Sequence, residues 1–217
     1  MSERESGEPA RRRRSRSSVS AEEILGAAER VAYGGLDGFT MRAVAAEIGA
    51  SAMSLYRYFA TKDQLVDAML DRVLGRMETE PSSDSWIVDL TGFARAHRSV
   101  LADHPWAIGP LFTHSNPGAN ATAIGEFALE ILERGGLTGA DAVATFSGIL
   151  ALNYGWSSFS AAKTLDRPAD MGNSISAERF PRTSAVADEL SKYGSDSHYE
   201  LVLHQLIDGI QATGEGH

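Results

Sequence analysis

The sequence predicts an all-α fold: a small N-terminal head of three helices, one long connecting helix, and a larger helical body. Apolar residues recur at three- and four-residue spacing along most of the 217 positions, the period of a helix with one buried face. Ser or Thr stands before several of these runs, with Glu, Gln or Asp three residues on, a pattern that begins helices. No proline falls between Pro9 and Pro81, so nothing breaks helix formation there.

Residues 1–19 lack periodicity and carry Arg11, Arg12, Arg13, Arg14 and Arg16 among Ser, Glu and Gly, which predicts a disordered basic arm. The first helix begins at Ser20, which forms a capping box with Glu23, and buries Ile24, Leu25, Ala28, Val31 and Ala32. Gly34, Gly35 and Gly38 end it, Phe39 plugs the head core, and Thr40 caps the second helix. That helix, Met41 to Ile48, puts Met41, Val44, Ala45 and Ile48 on one face. Gly49 can take the left-handed conformation that ends a helix, and Ser51 can accept from the first free N–H groups of the next. The third helix, Ala52 to Phe59, buries Leu55 and Phe59 and shows Ala52, Met53, Ser54, Arg57 and Tyr58 outward. Two helices meeting at such a turn, the second with polar and basic groups outside, form a helix-turn-helix, whose second helix enters the DNA major groove. A structural helical corner gives the same bare pattern. In the DNA reading the arm neutralises phosphates or reaches a minor groove; otherwise it is a solubilising terminus.

A second capping box, Thr61 with Gln64, opens a helix running to about residue 78 through Leu65, Val66, Met69, Leu70, Val73, Leu74 and Met77. It joins head to body and is the natural lever between them. Pro81-Ser82-Ser83-Asp84 marks the boundary, giving an arm at 1–19, a head with its linking helix at 20–80 and a body at 81–217.

In the body, Trp86, Leu90, Phe93, Ala94, His97 and Leu101 share one side of a helix from Ser85 to about Ala102, which ends at His104-Pro105-Trp106. A short helix follows from Trp106 to Phe112, then a turn over 113–118. The next helix runs from Ala119 to Arg134 and stops at Gly135-Gly136. Thr138 caps a helix reaching about Ala162, in which Ala144, Gly148, Ala151, Gly155 and Ser158 form a stripe of small residues that permits close approach of another helix. Residues 163–180 read as a loop, Thr183 to Tyr193 as a short helix, and Ser197 to about Ala212 as a last helix. Tyr199, Val202, Leu203, Leu206, Ile207 and Ile210 form the stripe of that last helix.

The net charge of −9 is unevenly spread: residues 1–62 hold 10 Lys+Arg against 8 Asp+Glu, so the acidic excess lies in the body. Charge acts locally, within ~8–10 Å at ordinary salt, so a near-neutral head with a basic tail can still approach phosphates. The absence of cysteine excludes disulfides, thiol catalysis and Cys-based zinc sites. No run of 18 or more apolar residues and no apolar signal core occurs, so a cytoplasmic protein is expected. There is no HExxH, GxSxG or P-loop. No catalytic residue, metal or cofactor is expected. A metal-dependent hydrolase and a non-specific architectural DNA-binding protein are the alternatives weighed.

Gly38-Phe39-Thr40, Arg42, Ala45-Ala46-Glu47-Ile48-Gly49, Ser54-Leu55-Tyr56-Arg57-Tyr58-Phe59, and Lys62 with Leu65 together resemble the N-terminal domain of the TetR family of one-component transcriptional repressors, over about 60 residues. Ala102-Asp103-His104, Asn116-Pro117 and Leu137-Thr138 carry a weaker likeness to the regulatory domain of the tetracycline-repressor branch. The resemblance implies a helix-turn-helix DNA-binding head, a ligand-binding and dimerisation body, a palindromic operator bound by a homodimer, and release by a small-molecule effector. Mapped residue by residue, it implies DNA contacts at Thr40, Arg42, Ser51, Ala52, Met53, Ser54, Tyr56, Arg57, Tyr58 and Lys62. Arg57 fits guanine O6 and N7, and Ala52 and Met53 suit thymine methyls. Thr40, Tyr56 and Lys62 suit phosphates, with packing against the first helix the alternative for Tyr56.

For the effector, His97, His104, Trp106, Phe112, His114, Phe127, Phe146, Asn153 and Trp156 offer an apolar surround with a few polar groups. Core packing is the alternative for each. His104 falls where the tetracycline branch places a metal-bridging histidine. The family's four-helix dimer interface implies a second copy against Ala144, Gly148, Ala151 and Gly155, and against Tyr199, Val202, Leu206 and Ile210.

Overall fold

The computed structural model describes residues 19–81, 83–113, 118–163 and 176–214. The basic arm to residue 18, His114, Asn116-Pro117 and most of the loop expected over 163–180 lie outside them. Every regular element among the described residues is helical, and none of these helices is long and apolar enough to cross a membrane.

The head contains α1 (Ala21–Tyr33), α2 (Met41–Glu47) and α3 (Ala52–Tyr56), followed by α4 (Lys62–Leu74). Ile24, Phe39, Val44, Leu55, Leu65 and Met69 are buried together and form its core. Ser20 and Glu23 form both halves of the expected capping box, and Thr40 Oγ1 accepts from Ala43 N at 3.1 Å. The turn between α2 and α3 rests on Gly49, whose φ is +65°. Ala50 N donates to Ala45 O at 2.8 Å and Gly49 N to Ala46 O at 3.1 Å, the paired bonds of a Schellman ending. A side chain at that φ would strain the backbone.

Four local expectations need correction. Ser51 does not cap α3, because its hydroxyl pairs with Ser54 Oγ at 2.9 Å instead. Gln64 returns its bond to Ala60 N rather than to Thr61 N. Helix α3 ends at Tyr56, and Tyr58 N and Phe59 N both fold back onto Leu55 O as a closing turn. Helix α4 stops at Leu74, and Met77 is buried beyond it.

In the body, α5 (Trp86–Asp103) leads through a 3-10 turn at Pro105–Ala107 into α6 (Ile108–Leu111), then α7 (Ala119–Arg134) and α8 (Gly139–Lys163). α9 (Pro181–Ala185), α10 (Ala187–Ser191) and α11 (Asp196–Gly214) follow. Helix α5 is central and packs against α7, α8 and α11. The helix expected over Thr183 to Tyr193 is two pieces that break at Val186. Neither piece buries a side chain, so no packed stripe holds a continuous helix together.

Buried polar bonds tie the central helices. Tyr199 Oη donates to Asn153 Oδ1 at 2.8 Å, and Asn153 Nδ2 donates to Ala94 O at 2.9 Å and to His97 Nδ1 at 3.1 Å. The Asp89 carboxylate, almost wholly buried, is met by Arg134 Nη1 at 2.7 Å.

Head and body share a built joint. Asp71 on α4 accepts from Asn120 N at 2.8 Å and Ala121 N at 3.1 Å, so a carboxylate of the linking helix caps the start of α7. The approach is close: a Cβ at Gly118 would lie 2.5 Å from Asp71 Cγ, and one at Gly75 would lie 2.7 Å from Asn120 Nδ2. On the other side, Glu29 of α1 meets Arg72 at 3.3 Å and Arg76 at 2.7 Å. Arg76 also meets His104 Nε2, while His104 Nδ1–H donates to Val100 O at 2.9 Å. Tyr33 Oη donates to Asp103 O at 2.8 Å.

Candidate nucleic-acid interface and sensor core

Helix α3 is anchored by one fully buried residue, Leu55, and turns nearly everything else outward. Met53 is 75% exposed and Tyr56 46%, unusual for side chains of this size; Arg57 and Tyr58 are exposed beside them. Thr40, Arg42, Ser51 and Lys62 are exposed too, while Ala52 and Ser54 are half-buried. The Lys62 ammonium lies 5.5 Å from the centre of the Phe39 ring, which fixes its stem at the start of α4. Among the described residues, no ion pair uses Arg42, Arg57 or Lys62, whereas Arg30 of α1 is held by Glu47 at 2.7 Å. Cations without carboxylates beside exposed aromatic and thioether groups make a surface suited to phosphates and base edges.

The residues nominated for an effector separate into three groups. Phe127, Phe146 and His97 gather around Phe93, at ring-centre distances of 6.3, 6.2 and 6.4 Å, between α5, α7 and α8. Asn153 joins this group through its bond to His97. His97 is buried, and that burial pushes its pKa from 6.5 down to about 4, leaving a neutral ring whose Nδ1 accepts. Phe112 is exposed and reaches the group through Tyr154, 5.3 Å away.

The second group is a correction. Both ring nitrogens of His104 are engaged within the head–body joint, by Arg76 and Val100, so it does not face the aromatic cluster. Trp106 is buried in the short 3-10 turn that follows it. Among the described residues, no three His, Asp or Glu side chains gather as a metal site would need. Third, Trp156 donates to Ser195 O at 3.2 Å and packs edge-on against Tyr199, away from Phe93. His114 lies outside the described residues.

The small-residue stripe on α8 lies open. Ala144 and Ala151 are exposed, Gly148 and Gly155 half-buried, and a Cβ built on either glycine meets nothing within 4 Å. On α11 the expectation is half corrected. Val202 and Leu206 sit at the margin, but Tyr199 and Ile210 are buried in their own chain with Leu203 and Ile207, and Leu201 stands outward at 57% exposure.

Residues 24–69 match the family model described as bacterial regulatory proteins, tetR family, and residues 78–213 match the model described as tetracyclin repressor-like, C-terminal domain. An HTH-type transcriptional regulator of Saccharopolyspora erythraea is 31% identical over 215 residues, covering 94% of this chain and 90% of its own. The HTH-type transcriptional repressor DrrR1 of Streptomyces coeruleorubidus is 34% identical, covering 82% and 71%. Among solved structures, the Streptomyces coelicolor TetR family protein ActR in complex with (S)-DNPA superposes with a TM-score of 0.77 at 25% identity, over 91% of this chain and 99% of that one.

Proposed function

The chain belongs to the TetR family of bacterial transcriptional regulators, and from that premise we propose that it is a repressor. It binds a palindromic operator as a homodimer in the cytoplasm and is released by a small-molecule inducer. The observation that carries this reading is the surface of α3: one buried anchor, Leu55, beneath exposed Met53, Tyr56, Arg57 and Tyr58. Arg57 reads a guanine through two bonds, Ala52 and Met53 meet thymine methyls, and Thr40, Arg42, Tyr56 and Lys62 hold phosphates, with Ser51, Ser54 and Tyr58 at the edges. Head and linking helix occupy residues 20–80, and the sensing and pairing body 81–217.

Two copies meet along the small-residue stripe of α8 and the outer margin of α11. That pairing sets the separation of the two α3 helices, which must match half-sites about 34 Å apart. An inducer that prefers a different separation draws the population away from the DNA-binding form, and DNA and inducer weaken each other equally. The joint through Asp71, Glu29, Arg76 and His104 supports transmission along α4. The aromatic cluster around Phe93, with His97 and Asn153 as polar groups, supports an inducer site between α5, α7 and α8.

Footprinting on the DNA around its own gene tests the reading. One protected palindrome with two arms a helical turn apart is expected; uniform coverage would indicate an architectural protein. Ligands found by thermal shift are then titrated with and without operator, and equal affinity in both would refute the coupling.

A further inference from the structure

The described residues include four methionines, Met41, Met53, Met69 and Met77, and they fall into two environments. Met69 is 0% exposed, Met41 6% and Met77 7%, so packing closes in all three. Met53 is 75% exposed and holds its thioether out to solvent. The sequence has no cysteine, so no thiolate competes for an oxidant. An accessible thioether without a rival thiol is where a two-electron oxidant reacts first.

Its place in the fold gives that reaction a consequence. Met53 lies on α3 (Ala52–Tyr56), which Leu55 alone anchors in the core, so a change of polarity at Met53 costs the core nothing. A thioether is soft and apolar, whereas a sulfoxide is polar and carries an oxygen that only accepts hydrogen bonds. Pressed against a thymine methyl, that oxygen would lose water and find no donor, which is unfavourable. Arg57 stands four residues on, the spacing at which side chains of one helix face meet, and its backbone keeps helical angles. Among the described residues no ion pair holds its guanidinium. A sulfoxide oxygen at Met53 can accept from that guanidinium and draw it away from a base.

We propose that Met53 is an oxidation site that weakens operator binding, its thioether being converted by hydrogen peroxide to the sulfoxide. A sulfur lone pair attacks one peroxide oxygen, and an S–O bond forms as the O–O bond breaks. The displaced hydroxide takes the proton of the transferred oxygen and leaves as water. Sulfur gives up two electrons and the peroxide gains them. Methionine sulfoxide reductases reverse the change. The effect on DNA rests on the contact between α3 and operator proposed above; the oxidation itself does not.

The test treats the full chain with millimolar hydrogen peroxide and maps its peptides by mass spectrometry. Sulfoxide should form at Met53 at least about tenfold faster than at Met41, Met69 or Met77. Binding to the duplex protected in footprinting, read by fluorescence anisotropy, should then weaken about tenfold with an unchanged circular dichroism spectrum. Reductase treatment should restore it. Met53→Leu, which has no thioether at this position, should bind with the same affinity before and after peroxide, whatever that affinity is. Met1 and Met171, outside the described residues, are present in both proteins and cancel in this comparison. Should Met53→Leu bind too weakly to measure, recovery on reductase treatment decides. Equal oxidation of exposed and buried methionines, a Met53 sulfoxide that binds as tightly as the untreated chain, or a peroxide loss that persists in Met53→Leu or resists the reductases would each overturn the proposal. An untreated chain that protects no palindrome would instead remove the operator reading, and the effect on DNA with it.

Discussion

His97 makes the protein's stability depend on pH over a defined window. Its ring is enclosed among Phe93, Tyr154 and Asn153, and burial holds its pKa at about 4 against 6.5 in an open chain. Unfolded, the imidazole takes up a proton below about pH 6.5; folded, it waits until about pH 4. Between those values the unfolded state binds more protons, so stability falls as pH drops, and the fall ends below the folded value. The full difference corresponds to about 3 kcal/mol, with about 2 kcal/mol already lost by about pH 5. His97→Gln removes the titration while keeping an oxygen able to accept from Asn153 Nδ2. Urea unfolding of both proteins is followed by circular dichroism at about pH 7.5 and about pH 5, at one protein concentration because the proposed pairing would contribute to stability. Carboxylates elsewhere titrate in both proteins and cancel in the comparison. The wild type should lose about 2 kcal/mol more than His97→Gln between the two conditions. Equal losses would refute a neutral, enclosed His97.

On DNA, Arg57→Ala should cost about 1–3 kcal/mol on the operator and relax preference at one base position, and equal loss on operator and random duplex would contradict base reading. Lys62→Ala should weaken every sequence alike and lower the slope of log affinity against log salt by about 1, which a salt titration measures. Gly118→Ala drives a methyl into the Asp71 carboxylate; a loss of about 1–3 kcal/mol in urea unfolding is expected, and an unchanged midpoint would show that the joint is slack. Gly148→Arg places a charge on the small-residue face of α8, where the chain itself leaves space. Light scattering should then report a folded monomer, and a persisting dimer would move the interface elsewhere.

The head was legible because its signals are local. Thr40, Gly49 and the spacing of Val44, Ala45 and Leu55 lie within a few residues of what they control, so sequence order is nearly spatial order. The body was legible as helices but less so as contacts. Tyr199 has the same helical phase as Val202 and Leu206, so spacing alone sets it with them against a second copy. Periodicity says that a face is covered and is silent on what covers it. His104 carried a family expectation, yet its partners are Arg76, 28 positions away, and a carbonyl of its own helix. Arg98 gave no signal, because its partner Asp196 lies 98 positions downstream on α11. Asp71 gave no signal either, because the N–H groups it accepts from, on Asn120 and Ala121, lie 49 and 50 positions on.

The Tyr199–Asn153–Ala94 knot bears on how a message could cross between subunits. It fastens α5, α8 and α11 at one buried point, with no loop in the path. Helix α5 borders the aromatic cluster, while α8 and α11 carry the faces proposed to meet a twin. In the proposed dimer, a displacement of α5 would be carried to the seam through these buried bonds. Occupancy of one subunit would thus be felt by its neighbour before any surface segment had to rearrange.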